Sequence, residues 1–215
     1  MKNYYKMKSS DICMKLRIHN IILHTKVLGP GVRTAIWFQG CNRNCNGCMS
    51  QATKDTLGGK LVDVEKICDL FINLKDIEGI TISGGEAFLQ IDALYEILKT
   101  VKDKSKLGVI IYTGFYIKEL KAMNNPKIDE ILTGLADIII DGPYVEKLND
   151  GKGLKGSSNQ TVNFITERYL EHKSIYYADQ RDTELYVNEK DLFFVGIPNK
   201  KTLESWNEIS DIVGE

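Results

Sequence analysis

Three cysteines, Cys41, Cys45 and Cys48, fall in one short segment, Gly40-Cys41-Asn42-Arg43-Asn44-Cys45-Asn46-Gly47-Cys48. The C-x3-C-x2-C spacing lets three thiolates converge on one centre from a single loop. It does not supply a fourth. A structural zinc site closes a tetrahedron with four protein ligands, and a [4Fe–4S] cluster ordinarily takes four thiolates. Three thiolates on such a cluster leave one iron open, and an open metal position is where something other than protein must bind. The two remaining cysteines, Cys13 and Cys68, are remote in sequence. A closed zinc or redox-thiol loop, completed by Cys13, Cys68 or a histidine, is the competing reading.

The elements around the loop predict how it is held. Leu16–Val27 is apolar and β-branched, Gly29-Pro30-Gly31 marks a turn, and Thr34–Phe38 reads as the next strand, so an antiparallel pair leads into the cysteines. His19 and His24 fall in the first strand and read as strand histidines with local hydrogen bonds. Beyond the loop, strand and helix alternate. Asp63 is an expected N-cap for a helix carrying Val64, Ile67, Cys68, Phe71 and Leu74 on one face, which makes Cys68 a core residue. Strands are expected at Gly79–Ile82, Leu107–Tyr112 and Ala136–Ile140, and helices from Asp92 and over 117–123 and 127–132. Such alternation implies βαβ units and a parallel sheet.

Four chemistry-bearing loops follow four successive strands. They are the cysteine loop, Ser83-Gly84-Gly85-Glu86, Thr113-Gly114, and Asp141-Gly142-Pro143-Tyr144. Ligands of parallel α/β folds bind where the strands' carboxyl ends gather their loops, so these four loops predict one site. In the second, paired glycines permit close backbone approach to a ligand, and Glu86 adds an acceptor for an ammonium group. Asp141 reads as a buried turn acceptor. Trp37 and Phe38 are expected to keep the site dry. Further on, Glu184–Val187, a turn over 188–191, and Leu192–Gly196 read as a β-hairpin, and Trp206 lies in a short terminal helix packed on the body.

On these residues the chain resembles a known family. C-x3-C-x2-C is similar to the cluster loop of radical S-adenosylmethionine (radical SAM) enzymes, and the block from Gly29-Pro30-Gly31-Val32-Arg33-Thr34 to Cys48 resembles the small activating enzymes of anaerobic ribonucleotide reductase. The likeness runs from about Leu23 to about Ile165, with an echo near Gly196-Ile197-Pro198. It implies an α/β fold, a partial (β/α)6 barrel of parallel strands with an N-terminal strand pair and a C-terminal hairpin and helix. The layout expected is a polar, lysine-rich extension over 1–15, a radical SAM core over 16–165, and a cover over 166–215 belonging to the same domain. It assigns Cys41, Cys45 and Cys48 to one [4Fe–4S] cluster, and Gly47, Met49, Ser83, Gly84, Gly85, Glu86 and Thr113 to S-adenosyl-L-methionine (SAM). Ala87 stands where family members often have proline, and Met49 where activases often carry an aromatic. The implied enzyme is a radical SAM oxidoreductase. It cleaves SAM reductively to give a 5′-deoxyadenosyl radical that installs a glycyl radical on a partner enzyme, with a reduced flavodoxin- or ferredoxin-type electron donor. Modification of a peptide or small molecule is the first alternative, and a non-catalytic zinc or iron–sulfur module the second.

The whole chain sets bounds on these readings. A net charge of −1 gives no argument for a nucleic-acid or anionic-membrane partner, and no apolar run approaches a bilayer span. An odd cysteine count with three clustered does not read as a disulfide framework, so a reducing, cytoplasmic compartment is expected, and the family resemblance implies an anaerobic setting.

Overall fold

A computed structural model describes residues 13–187 and 192–213. Most of the 1–15 extension and the expected turn over 188–191 lie outside the described residues.

The chain enters β1 (Lys15–Thr25), turns through Gly29-Pro30-Gly31 into β2 (Arg33–Phe38), and crosses the cysteine loop to β3 (Lys60–Asp63). From there β4 (Gly79–Gly84), β5 (Gly108–Tyr112) and β6 (Ile138–Asp141) alternate with α1 (Val64–Asn73), α2 (Ile91–Lys104), α3 (Ile117–Ala122) and α4 (Pro126–Glu130). β7 (Thr161–Phe164) follows, then a run of 3-10 turns over Glu167–Tyr177, the hairpin β8 (Thr183–Val187) and β9 (Leu192–Gly196), and α5 (Lys200–Val213).

The main sheet has the order β3-β1-β2-β4-β5-β6-β7. Its centre is parallel, β2 to β4 to β5 to β6, while β1 and β3 on one side and β7 on the other pair antiparallel. The sheet is therefore mixed and open. Among the described residues four strands run parallel, where the family resemblance implied six. After β6 the described chain doubles back in β7, antiparallel to it, and then leaves the sheet.

Side-chain alternation assigns the two faces. Ile36, Phe38, Ile82, Val109, Ile111 and Ile139 point to the helices, where they meet Phe71, Leu94, Ile97 and Leu98 in the largest apolar cluster. Cys68 is buried in that cluster, as its helical phase requires. Ile110, Ile138 and Ile140 point the other way, onto Tyr169 and Tyr176, and Ala35 meets Val195 of the hairpin and Ile197 just after it. The central strands are apolar on both faces because both are covered.

Arg33 closes the amino end of the sheet. Its guanidinium is fully buried. It donates to Thr81 Oγ1 (2.7 Å), to the carbonyls of Ile80 (2.6 Å) and Gly108 (3.0 Å), and to Tyr169 Oη (2.9 Å), which in turn donates to Glu78 (3.2 Å). This network fixes the turn before β2 and leaves the carboxyl end free for chemistry. Asp63 does sit at the N-cap of α1, but its carboxylate makes no cap bond. It pairs instead with Lys15 and Lys66.

Candidate active site

At the carboxyl ends of β2, β4 and β5 the backbone of one loop holds the next. Gly85 N donates to Phe38 O (2.8 Å) and Glu86 N to Gly40 O (2.9 Å), so the Gly-Gly-Glu loop is bonded to the entrance of the cysteine loop. Gly40 and Cys41 in turn donate to Thr53 O (2.7 Å) and Lys54 O (3.2 Å) at the loop's exit. Both glycines are required by this closeness. Gly84 has φ 104°, and a Cβ there would meet Phe38 O at 2.5 Å; a Cβ on Gly85 would collide with Gly40 O. The sequence reading gave these glycines to a ligand. The fold itself already demands them.

The three cysteines, Ser83 to Glu86, and Thr113 line a single cavity of about 520 Å³, within the size range of sites for one small organic ligand. Met49 lines it as well. Gly47 does not; it has φ 65°, and its open side is covered by the Glu146 carboxyl, which an added Cβ would meet at 2.6 Å. Cys13 is exposed beside Asp63 and Cys68 is packed under α1, so neither joins the other three. Among the described residues no three His, Cys, Asp or Glu side chains gather as they would around a single metal ion. Burial pushes the Cys41 thiol up from its ordinary range, and the nearby Glu86 carboxylate pushes the same way, against the lowering effect of the Arg43 backbone N–H.

Glu86 is almost fully buried. Its Oε1 accepts from Phe88 N (3.1 Å) and Thr113 Oγ1 (2.9 Å), and its Oε2 from Gly114 N (2.8 Å). Burial pushes this carboxyl up while those three donors and Arg43 pull it down. The Thr113 hydroxyl, expected to meet a ligand, spends its proton on Glu86 and accepts from Phe115 N (3.1 Å). Asp141 acts as the expected buried acceptor, taking Ile117 N at the start of α3 (2.8 Å) and Asn163 Nδ2 (3.1 Å).

Trp37 lines the cavity, but Phe38 does not. One residue along a strand reverses the face, and Phe38 is buried among the helices. Several cavity residues carried no sequence signal of their role. His19, read as a local strand residue, reaches the cavity. Arg43, inside the cysteine loop, stacks over Phe115 (4.0 Å to the ring centroid) and pairs with Glu119 (2.8 Å), tying the loop to α3. Tyr112 also lines the cavity and donates to Leu154 O (3.0 Å). The hairpin, the link after it and α5 supply an apolar wall that includes Phe193, Phe194, Ile197 and Trp206. Trp206 packs on Phe194 with ring centroids 5.4 Å apart.

A protein-family model described as a 4Fe-4S single cluster domain matches residues 27–163. The chain is 32% identical over 149 residues to the pyruvate formate-lyase-activating enzyme of Clostridium pasteurianum, covering 65% of this chain and 59% of that protein. Against the pyruvate formate-lyase 1-activating enzyme of Escherichia coli (strain K12) the figures are 31% over 167 residues, 74% and 64%. The anaerobic ribonucleoside-triphosphate reductase-activating protein of Escherichia coli (strain K12) is 30% identical over 148 residues, which are 65% of this chain and 92% of that protein. The chain thus spans about three fifths of the length of the two pyruvate formate-lyase activators and nearly all of the reductase activator. With its cysteine loop and Gly-Gly-Glu loop on one cavity, the chain belongs to this 4Fe-4S single cluster family of radical SAM proteins.

Proposed function

We propose that the protein is a radical SAM activase that installs a glycyl radical on a partner enzyme. The observation that carries the reading is the donor set: three soft thiolates from one loop share a cavity with a buried carboxylate, and no further cysteine among the described residues lines that cavity. Such a set suits a cluster with one iron left for a small ligand better than a closed four-ligand zinc site. When bound, a [4Fe–4S] cluster with SAM supplies one-electron cleavage of a sulfonium and hydrogen-atom abstraction.

Cys41, Cys45 and Cys48 would hold the cluster. Ser83, Gly84, Gly85, Met49 and the Gly47 turn shape the SAM site. A carboxylate offers about four acceptor positions, and the chain's own donors fill three on Glu86. The fourth would be left for the ammonium of SAM. Thr113 serves this site by orienting Glu86. Trp37 and Tyr112 exclude water from the cavity, which strengthens every charge interaction inside it. The open sheet forms the wall of a partial barrel, and its mouth admits a segment of the partner. A reduced flavodoxin- or ferredoxin-type protein supplies the electron. Mixing the anaerobic protein with SAM, a reductant and a candidate glycyl radical enzyme is the test. A glycyl doublet in the EPR spectrum is expected; its absence with every such partner, while SAM is still cleaved, would move the reading to another substrate.

A further inference from the structure

The hairpin lies outside the family-matched residues 27–163 yet walls the cavity. Leu192, Phe193 and Phe194 of β9 are consecutive cavity residues. So are Phe193, Phe194 and Val195 along a narrow side slot of about 140 Å³. A strand that lines a space with its face contributes alternate residues. Consecutive ones mean that β9 presents its edge. Among the described residues β9 pairs with β8 alone, and no other backbone hydrogen bond reaches Leu192–Gly196. An unpaired edge holds a row of N–H and C=O groups that another extended chain can satisfy.

The slot runs between this edge, β1 at His19 to Ile22, and the turn after the cysteine loop at Met49 to Thr53. It opens into the main cavity, with which it shares His19, Trp37 and Met49. Among the described residues that line it there is no Asp, Glu, Lys or Arg.

We infer that the free edge of β9 is a docking track for an extended segment of the partner protein, which adds to the hairpin as a third strand and is led toward the cysteine loop. The track is narrow, lined by uncharged residues among those described, and rich in main-chain donors and acceptors. Its occupant is therefore an extended peptide with small or apolar side chains, gripped mainly through its backbone. The inference rests on the activase reading for the existence of a protein partner.

The probe is the heptapeptide acetyl-Val-Ser-Val-Gly-Val-Ser-Val-amide, titrated into the cluster-loaded protein with SAM present. Trp37 and Trp206, the chain's two tryptophans, both line the cavity and report binding by fluorescence. N-methylating alternate amides in one phase should weaken binding about tenfold or more, because those amides face β9; the other phase should change it less than about twofold. Amide hydrogen exchange should slow over Leu192–Gly196. Equal effects in both phases, no saturable fluorescence change at millimolar peptide, or unchanged exchange in β9 would overturn the inference. SAM cleavage without strand pairing would defeat this inference alone. Strand pairing in a protein that cleaves no SAM would defeat the activase reading alone.

Discussion

Replacing Glu86 with alanine removes the acceptor that joins the ends of β4 and β5. Three donors lose their partner, the backbone amides of Phe88 and Gly114 and the hydroxyl of Thr113, in a site with almost no solvent access. Hydrogen bonds to a charged group contribute about 1.5–3 kcal/mol each. The cost of burying the carboxylate, which disappears with it, offsets part of their sum. A net loss of about 3–5 kcal/mol is expected, a large share of the roughly 5–15 kcal/mol available to a folded chain. At about 2–4 °C per kcal/mol for a chain of this size, Tm should fall by roughly 6–20 °C. Glu86→Gln keeps the shape but turns an amide N–H toward one of the three donors, for about 1–3 kcal/mol. Thermal unfolding of both variants under anaerobic conditions, with SAM affinity measured on the same samples, is the assay. Both variants should bind SAM at least about tenfold more weakly while the glutamine variant retains its iron. A drop in Tm below about 2 °C for Glu86→Ala would refute the structural part of the argument. Iron lost in step with SAM affinity in Glu86→Gln would refute the ligand part.

Other perturbations address separate links. The ordinary value for Glu86 is 4.5, and burial holds it higher in the folded chain. Above pH 4.5 the folded state therefore binds more protons than the unfolded one, so wild-type stability should fall relative to Glu86→Gln as pH rises through that interval in urea unfolding. Alanine at Cys41, Cys45 or Cys48 should abolish the iron–sulfur absorbance and SAM cleavage, whereas Cys13→Ala and Cys68→Ala should leave both in place. Arg33→Met should cost about 2–5 kcal/mol in urea unfolding, because buried carbonyls lose their donor. The iron–sulfur spectrum should persist, since Arg33 lies at the opposite ends of the strands. Gly47→Ala should lower iron incorporation through both its positive φ and the Glu146 contact, and adding Glu146→Ala should recover part of the loss.

Much of the site was legible because it is local in sequence. The cysteine spacing, the glycines before Glu86 and the positions of β4, β5 and β6 follow from short-range pattern, and the gathering of their loops follows from parallel topology. What escaped depends on contacts between distant residues. Lys60–Asp63 has the length and mix of a loop, and becomes β3 only because β1 is there to pair with it. Asp63 looks like a helix cap until Lys15 arrives beside it. Thr113 looks free to meet a ligand until Glu86 is seen against it. The hairpin was readable, but its place over the cavity was not, because nothing in Leu192–Gly196 says which sheet face it covers. Trp37 and Phe38 show the smallest such error: both are aromatic and adjacent, and the strand sends them to opposite sides. The last helix runs for 14 residues, where only a short one was expected.

The most direct measurement is the release of 5′-deoxyadenosine from SAM by the anaerobically reconstituted, reduced protein, followed by chromatography. Wild-type protein should release it, and the Cys45→Ala variant should not. Bound zinc in place of iron in the anaerobically purified protein, or release that survives the loss of Cys45, would contradict the three-thiolate cluster on which the account is built.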